Sequence, residues 1–416
     1  MTPTPRAAYA LLAVALVALA VPAVVSLSLV AIVAVATSFD IGVAHHRLLV
    51  RRTVPRTLSR GVATRLLVET NSDAPARIEI RQAQPADVEI EPSVGRGSLD
   101  ARVTAHRRGQ AVLPPVTARC RGPLGLGRCT FSGEGEAPLL VYPDVVAAQR
   151  IVVAIRRGQF RDPGLRARGP LGLGTDFESV RDYLPDDDVR QINWTASERT
   201  GRPMSNVYRI EQDRDVVCLL DAGRLMTAPL DARTTRLDAA ADAVTMVALV
   251  ADELGDRCGV TVFDDDLRSQ LRPRRNGGRA VVRAILDAEP TTVDSDYDLA
   301  FRTVSGGKRS LILVFTDLVD TAAARALIAS VPVLTRRHAV IVASVRDPDL
   351  DRARRHEPVT THDVYASAVA IDVLDERQRV ANRLEHTGAR VVEAPAASLG
   401  EACVRAYLRL KARARL

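Results

Sequence analysis

Acids and arginines are packed most densely between residues 174 and 199. The side chains able to do chemistry or make specific contacts there are Phe177, Glu178, Arg181, Tyr183, Asp187, Asp188, Arg190, Trp194 and Arg199. Guanidinium groups form two-pronged pairs with carboxylates, which fix the geometry of a loop. We expect such a network to hold this stretch in place, with the buried ring of Trp194 as its apolar anchor.

The same carboxylates allow a second interpretation. Asp187 and Asp188 could act as acid and base in a hydrolase, together with Asp221 further along the chain. No Ser-His pair, cysteine nucleophile or histidine cluster stands near them in the sequence. We therefore predict that the protein is not an enzyme and that it has no catalytic residues. A hydrolase that uses these three aspartates is the alternative.

Three apolar runs end in a carboxylate: VVCLLD at Asp221, CGVTVFD at Asp264 and SLILVFTD at Asp317. Between them, patterns with the helical period are found over 237–254 and 278–288, and others follow at 320–330, 375–387 and 398–413. Continuous apolar strands alternating with amphipathic helices predict a doubly wound parallel sheet over 215–416. In such folds the carboxyl ends of the strands carry the functional side chains. Asp221 and Asp317 could therefore meet there and share an ion such as Mg²⁺.

Two further segments precede this domain. Residues 45–145 alternate apolar and polar side chains between Pro, Gly, Asn and Asp, which predicts a small β-sandwich serving as a spacer or a binding module. Residues 146–214 are interpreted as a connector that carries the acid- and arginine-rich stretch. Its first part, IVVAIRRGQFRDPGLRARGPLGLG, is expected to be a surface loop because of its many Gly, Pro and Arg residues.

The N-terminal 44 residues contain the strongest membrane signal. No charged residue lies between Ala7 and Phe39, and a helix of that length would measure about 50 Å, against about 30 Å of bilayer hydrocarbon. Pro22 divides the run, which predicts a transmembrane hairpin of two helices over about 7–21 and 23–39. A signal peptide is the rival, since AVAT resembles a cleavage site. Arginines on both flanks predict a multi-pass cell-membrane protein with its soluble domains in the cytoplasm.

Composition excludes several classes of function. The net charge of +7 over 416 residues comes mainly from arginines interleaved with acids, so we expect no nucleic-acid partner. Five cysteines without CxxC spacing indicate neither a zinc site nor a disulfide framework. No Gly-rich loop is followed by the Lys-Ser or Lys-Thr pair of a nucleotide site, so the protein is not expected to hydrolyse ATP.

The runs VVCLLDAGRLM and LILVFTD resemble a von Willebrand factor A-type domain. In that family an Asp-x-Ser-x-Ser motif, a threonine and a later aspartate hold a metal ion. Here Gly223 and Leu225 stand where the serines belong, and Tyr297 stands near the threonine position. Only Asp221 and Asp317 match, so the resemblance implies a depleted site. We expect no cofactor, with Mg²⁺ only weakly indicated.

The stretch from Gly174 to Trp194 resembles the signature of the bacterial family called domain of unknown function 58. Its pattern is matched by Gly174, Phe177, Glu178, Arg181, Tyr183, Asp187, Asp188, Arg190, Ile192 and Trp194, with Arg199 following where the family usually has an arginine. The family layout of membrane hairpin, β-rich segment, signature and α/β domain would cover the whole chain. Members are commonly encoded beside MoxR-type AAA ATPases, so the resemblance implies such a partner and a role in protein interaction at the membrane.

Overall fold

The computed structural model describes residues 2–45, 48–71, 77–133, 135–160, 176–184, 187, 189–209, 213–319, 321–322 and 324–412. The chain divides into two compact units, Met1–Tyr142 and Pro143–Leu416. Each unit has its own hydrophobic core.

The apolar N-terminus forms two helices after a short strand, β1 (Thr2–Pro3). Helix α1 is Pro5–Val17 and helix α2 is Ala23–Ala44, with Pro22 as the residue that caps α2. Among the described residues, α2 alone is long and apolar enough to cross a bilayer, a test that a signal sequence near the N-terminus would also pass. With 13 residues, α1 measures about 20 Å and is shorter than a bilayer core. By length and composition, the structure therefore supports one membrane span, α2.

A buried aspartate holds the end of α2 against the rest of the first unit. Asp40 is fully buried and accepts hydrogen bonds from the backbone amides of Leu124 (2.8 Å), Leu126 (2.6 Å) and Gly127 (2.7 Å). Gly122 lies so close that a Cβ there would collide with the Asp40 carboxylate. The backbone of Thr4, just before α1, also donates to the carbonyl of Leu126 (2.8 Å). Both helices therefore meet one loop, residues 122–127.

The remainder of the first unit is a β domain. Its strands are β2 (Leu49–Thr53), β3 (Thr57–Ser59), β4 (Thr64–Asn71), β5 (Arg77–Arg81), β6 (Val88–Glu91), β7 (Val94–Arg96), β8 (Ser98–Ala105), β9 (Gly109–Leu113), β10 (Thr117–Arg121), β11 (Gly127–Ser132) and β12 (Ala137–Tyr142). They form sheets β1-β11-β10-β5-β7, β2-β4-β8-β6 and β3-β12-β9. Alternate residues point inward, as in β8, where Leu99, Ala101 and Val103 join one core shared by the sheets.

The second unit alternates helices and strands. Its helices are α3 (Val145–Arg156), α4 (Trp194–Thr200), α5 (Arg236–Glu253), α6 (Gly278–Ala284), α7 (Tyr297–Ser305), α8 (Arg325–Thr335), α9 (Pro348–Arg355), α10 (Thr361–His386) and α11 (Ala396–Ala412). Its strands are β13 (Asp176–Asp182), β14 (Met204–Arg209), β15 (Asp215–Asp221), β16 (Arg257–Phe263), β17 (Leu267–Arg274), β18 (Ser310–Phe315), β19 (Ala339–Arg346) and β20 (Arg390–Pro395).

Six of these strands form one sheet in the order β17-β16-β15-β18-β19-β20. All neighbours are parallel except the edge strand β17, which pairs antiparallel with β16. One face packs against α5, α6 and α11, and the other against α7, α8 and α10. Successive residues of β15 alternate between the two cores, since Cys218 belongs to one and Leu219 to the other. This burial on both faces explains the continuous apolar runs of the strands.

Some elements differ from the predictions. Residues 151–156, expected to begin a surface loop, lie in helix α3 (Val145–Arg156), which packs against α5 and pairs Arg156 with Glu253 (2.6 Å). The helix expected over 375–387 begins at Thr361, where Thr360 and Asp363 form a capping box. The GPLGLG sequence at 169–174 lies outside the described residues.

Candidate functional site

Asp221 ends the central strand β15 and lies buried at the carboxyl edge of the sheet. Its Oδ1 accepts hydrogen bonds from the Gly223 amide (2.8 Å) and the Ser295 hydroxyl. Its Oδ2 accepts from Thr316 Oγ1 (2.6 Å) and Tyr297 Oη (2.9 Å). Four donors thus saturate a carboxylate that would be costly to bury without partners.

Two of the three hydroxyl groups around Asp221, those of Ser295 and Thr316, come from positions to which the resemblance did not point. Gly223 has no side chain, and a Cβ built there would overlap the Ser295 hydroxyl. Ser295 therefore fills the space beside Asp221 from a loop more than 70 residues away. Burial and the neighbouring Asp221 carboxylate raise the pKa of Tyr297 well above its ordinary value, so its phenol remains a donor at neutral pH.

Asp317 follows strand β18 and is bound by two buried arginines. The guanidinium of Arg236, in the first turn of α5, pairs with Oδ2 and also reaches Asp347 (3.1 Å). Arg377 of α10 lies 3.0 Å from Oδ1, to which Ser344 also donates (3.1 Å). The two guanidinium groups engage both carboxylate oxygens of Asp317, which a metal ion would need as ligands. The residues at this edge therefore do not fit a divalent cation, and the described residues contain no cluster of three His, Cys, Asp or Glu.

The third strand-end aspartate, Asp264, is also fully engaged. It accepts from Arg268 Nε (2.7 Å) and Thr291 Oγ1 (3.0 Å). Burial raises the pKa of Asp264, but Arg268 and the other donors outweigh this effect and hold the pKa below its ordinary range. A cleft of about 390 Å³ opens beside these strand ends, and its walls include Arg224, Asp294, Ser295, Tyr297 and Arg325.

The acid- and arginine-rich stretch forms a hairpin. Strands β13 and β14 pair antiparallel, and α4 lies between them in the chain. Arg181 pairs with Asp187 (2.7 Å), whose second oxygen accepts from the Leu184 amide (3.0 Å). Tyr183 Oη donates to the Asp187 carbonyl (3.2 Å). These contacts stabilise the turn that follows β13.

Helix α4 begins at Trp194 and is capped by Asn193, whose side chain accepts from the Ala196 amide (2.9 Å). The Trp194 ring is 72% exposed, so the expectation of a buried anchor is wrong. The reason is local, because α4 reads WTASERT and has no apolar stripe to direct the ring inward. Leu184 and Val189 of the same stretch are also exposed.

The model of the family called "Protein of unknown function DUF58" matches residues 179–389, just over half of the chain. The chain belongs to the DUF58 family. The match includes the signature from Arg181 to Arg199 and most of the six-stranded sheet. The chain has no match among the curated proteins.

Several residues of the DUF58 signature can be placed only in part. Phe177 and Glu178 lie in β13, and Arg190 lies in a 3₁₀ turn, Val189–Gln191, but their side chains fall outside the described part. Asp188 is outside the described residues altogether. Arg199 is exposed in the last turn of α4. Of the predicted ion pairs, the structure brings Arg181 and Asp187 together.

Sequence reasoning missed the partners of the strand-end carboxylates. Arg236 directly precedes one predicted helix and Arg377 lies inside another, and no local feature separates either from surface arginines. The only available signal was indirect. A buried aspartate after a strand requires a counter-charge or several donors, so such partners had to exist somewhere in the chain.

Proposed function

We propose that the protein is a membrane-anchored, non-enzymatic interaction factor that works with a MoxR-type AAA ATPase through its von Willebrand factor A-like domain. The observation that carries the proposal is the exposure of three apolar side chains of the DUF58 signature, Leu184, Val189 and Trp194. Trp is enriched in the energetic centres of protein interfaces, so an exposed Trp in a stretch that also exposes aliphatic side chains supports such a role. The choice of ATPase rests on the family resemblance.

The state of the carboxylates favours interaction over hydrolysis. In the hydrolase alternative Asp187 and Asp221 would exchange protons with a substrate or water. Asp187 is instead paired with Arg181 and the Leu184 amide, and Asp221 accepts four hydrogen bonds. A general base needs a free lone pair near the reacting group. Absence of turnover on phosphoester, peptide and glycoside substrates would agree with this proposal.

The strand order supports the von Willebrand factor A-like interpretation of residues 215–416. Five parallel strands carry helices on both faces, with an antiparallel strand at one edge. Asp221 ends β15 and Asp317 follows the neighbouring strand β18, as the resemblance implies. We infer that Arg236 has replaced the metal as the positive group at this edge.

Addition of Mg²⁺ tests that inference. We expect millimolar Mg²⁺ or Mn²⁺ to leave the thermal midpoint unchanged, because a ligand stabilises a fold only above its dissociation constant. The measurement is a thermal melt with and without chelator. An upward shift that disappears in Asp221→Ala would contradict the inference.

The membrane part of the proposal is a helical hairpin with both ends in the cytoplasm. Thr4 before α1 and Asp40 near the end of α2 bond to the same loop, which supports an entry and an exit on one side. The helices are also in contact and their large apolar side chains are exposed. Arg6, Arg51 and Arg52 flank the hairpin, and such residues favour the cytoplasmic face.

Two cysteines report the compartment of the β domain. Cys120 and Cys129 are buried and directly opposite each other on β10 and β11. The distance between the Cα atoms of such opposed residues is within the usual range for a disulfide. Burial, then the neighbouring Cys129, raises the pKa of Cys120, which slows its chance oxidation. We expect both thiols to be reduced in cells if the domain is cytoplasmic. Alkylation in acid-quenched lysate followed by peptide mass spectrometry measures this, with Cys403 as the internal control. A Cys120–Cys129 cross-link would place the domain outside the cytoplasm.

Trp194→Ala tests the interaction surface. We expect at least a tenfold loss of the MoxR-type ATPase in pull-downs from native membranes, because a central Trp commonly dominates an interface. Stability should change by less than about 0.5 kcal/mol, since the ring is exposed. Hydrogen exchange over residues 176–209 checks the fold. Tyr365→Ala is the matched control, because that ring is 69% exposed on α10. Equal loss with both variants, or faster exchange with Trp194→Ala alone, would contradict a direct contact.

A further inference from the structure

A cleft in the first unit is lined by an unusual concentration of arginines. It has a volume of about 780 Å³ and lies beside the loop 122–127. Its charged walls are Arg6, Arg77, Arg96, Arg121, Arg128 and Glu79. Five arginines and one glutamate leave a formal excess of four positive charges around one space. Like charges gathered in this way repel each other, so an anion would be bound favourably.

The arginines are largely available for a ligand. Glu79 lies 3.9 Å from Arg121 and 3.9 Å from Arg119, an arginine outside the cleft. Both contacts are weak and join half-exposed side chains. Arg128 donates to the Thr2 hydroxyl (2.8 Å). Within the part of the chain that the structure describes, Arg6, Arg77 and Arg96 form no ion pair. Their guanidinium groups can therefore turn toward an anion in the cleft without breaking a salt bridge.

The position of the cleft identifies the source of the anion. Thr4, Pro5 and Arg6, at the start of α1, form part of its wall. The opposite wall includes Gly122 and Gly125 of the loop that Asp40 ties to the end of α2. Both apolar helices therefore leave the β domain beside this cleft. When the helices are inserted in a bilayer, as the proposed membrane anchoring requires, the cleft lies at the level of the lipid headgroups.

We propose that this cleft binds the phosphate-bearing headgroup of an anionic phospholipid. Guanidinium groups form two-pronged hydrogen bonds with phosphate oxygens, and every cation in the cleft is an arginine. The amino-terminal end of α1 adds its partial positive charge at the same place. Basic pockets beside membrane helices on the cytoplasmic side are suited to anionic headgroups. The bound lipid would fix the depth and orientation of the β domain at the membrane surface.

The test uses the full chain in a mild neutral detergent and phosphatidylglycerol as the probe. Native mass spectrometry counts the lipids retained as phosphatidylglycerol is titrated against a phosphatidylcholine background. The double variant Arg77→Gln/Arg96→Gln should weaken retention of phosphatidylglycerol at least tenfold and leave retention of phosphatidylcholine unchanged. The matched control is Arg81→Gln/Arg102→Gln, which removes two exposed strand arginines of the same unit that do not line the cleft. It should retain phosphatidylglycerol as the unmodified protein does.

Three outcomes would overturn the inference. Equal weakening in both double variants would mean general charge attraction, and no weakening in either would mean that the cleft is not the site. Displacement of the lipid by inorganic phosphate at similar concentration would indicate a soluble anion as the ligand. Flotation with pure phosphatidylcholine vesicles separates these results from failure of the membrane proposal. A protein that does not float is not anchored, and both proposals fail, whereas one that floats but shows no cleft-dependent retention contradicts only the lipid site.

Discussion

Asp317→Ala is expected to lower the stability of the second unit by about 3–5 kcal/mol, the range for breaking a buried ion pair. Arg236 and Arg377 both pair with this carboxylate, and their side chains are 8% and 4% exposed. Without Asp317, Asp347 and Glu393 are the carboxylate partners that the two buried cations keep among the described residues (3.1 and 3.2 Å). The loss arises from uncompensated buried charge rather than from the small cavity.

Hydrogen exchange of the β18 and β19 amides is the suitable measurement, because these strands pair with each other beside the substituted residue. Asp349→Ala serves as the control. Its carboxylate pairs with Arg352 at the surface, where 70% of the Asp349 side chain is exposed, so a change of about 1 kcal/mol or less is expected. If the β18 and β19 amides exchanged as slowly in Asp317→Ala as in the control, the guanidinium groups would be solvated and the ion-pair network would contribute little to stability.

Asp40→Ala is expected to release the end of α2 from the β domain at a cost of at least about 3 kcal/mol. Three backbone amides, those of Leu124, Leu126 and Gly127, would lose a charged acceptor. Each hydrogen bond to a charged group contributes about 1.5–3 kcal/mol, and buried unpaired amides add a penalty. Asp40→Asn should have an intermediate effect because one amide oxygen cannot accept from all three donors.

Hydrogen exchange of the backbone amides of Leu124, Leu126 and Gly127 measures this loss of stability directly. Thr37→Ala is the control on the same helix, because its hydroxyl donates to the Val33 carbonyl (2.7 Å) one turn earlier. Unchanged protection of the three amides in Asp40→Ala would show that the loop keeps its conformation without the carboxylate.

The parts of the fold that sequence predicts well are those determined by local pattern. The strands that end at Asp221 and Phe315 are buried on both faces, so their apolar runs are continuous and unambiguous. Edge strands give weaker signals. Strand β17 alternates half-buried and exposed residues over LRSQLRPR, and β20 is a short RVVEAP segment next to helices on both sides in sequence. Neither pattern separates a strand from a loop.

The contacts of the site are harder to predict from the sequence, because the residues that form them are far apart along the chain. Ser295 reaches Asp221 across 74 residues, and Arg236 reaches Asp317 across 81. Asp40 was the first charged residue after an apolar run, and nothing near it indicated that a loop more than 80 residues away would supply three amides. Tertiary packing, which no local propensity encodes, decides these partners.

The attachment of both helices to one loop also determines how the first unit carries mechanical load. The Asp40 carboxylate near the end of α2 and the Thr4 amide before α1 both form hydrogen bonds with residues 124–127. No flexible linker separates α2 from this loop. A pulling force on the β domain therefore passes into α1 and α2 together, and a torque on the domain turns the helix pair with it. A pulling force on the β domain would therefore act on the helix pair as a whole rather than stretch a tether.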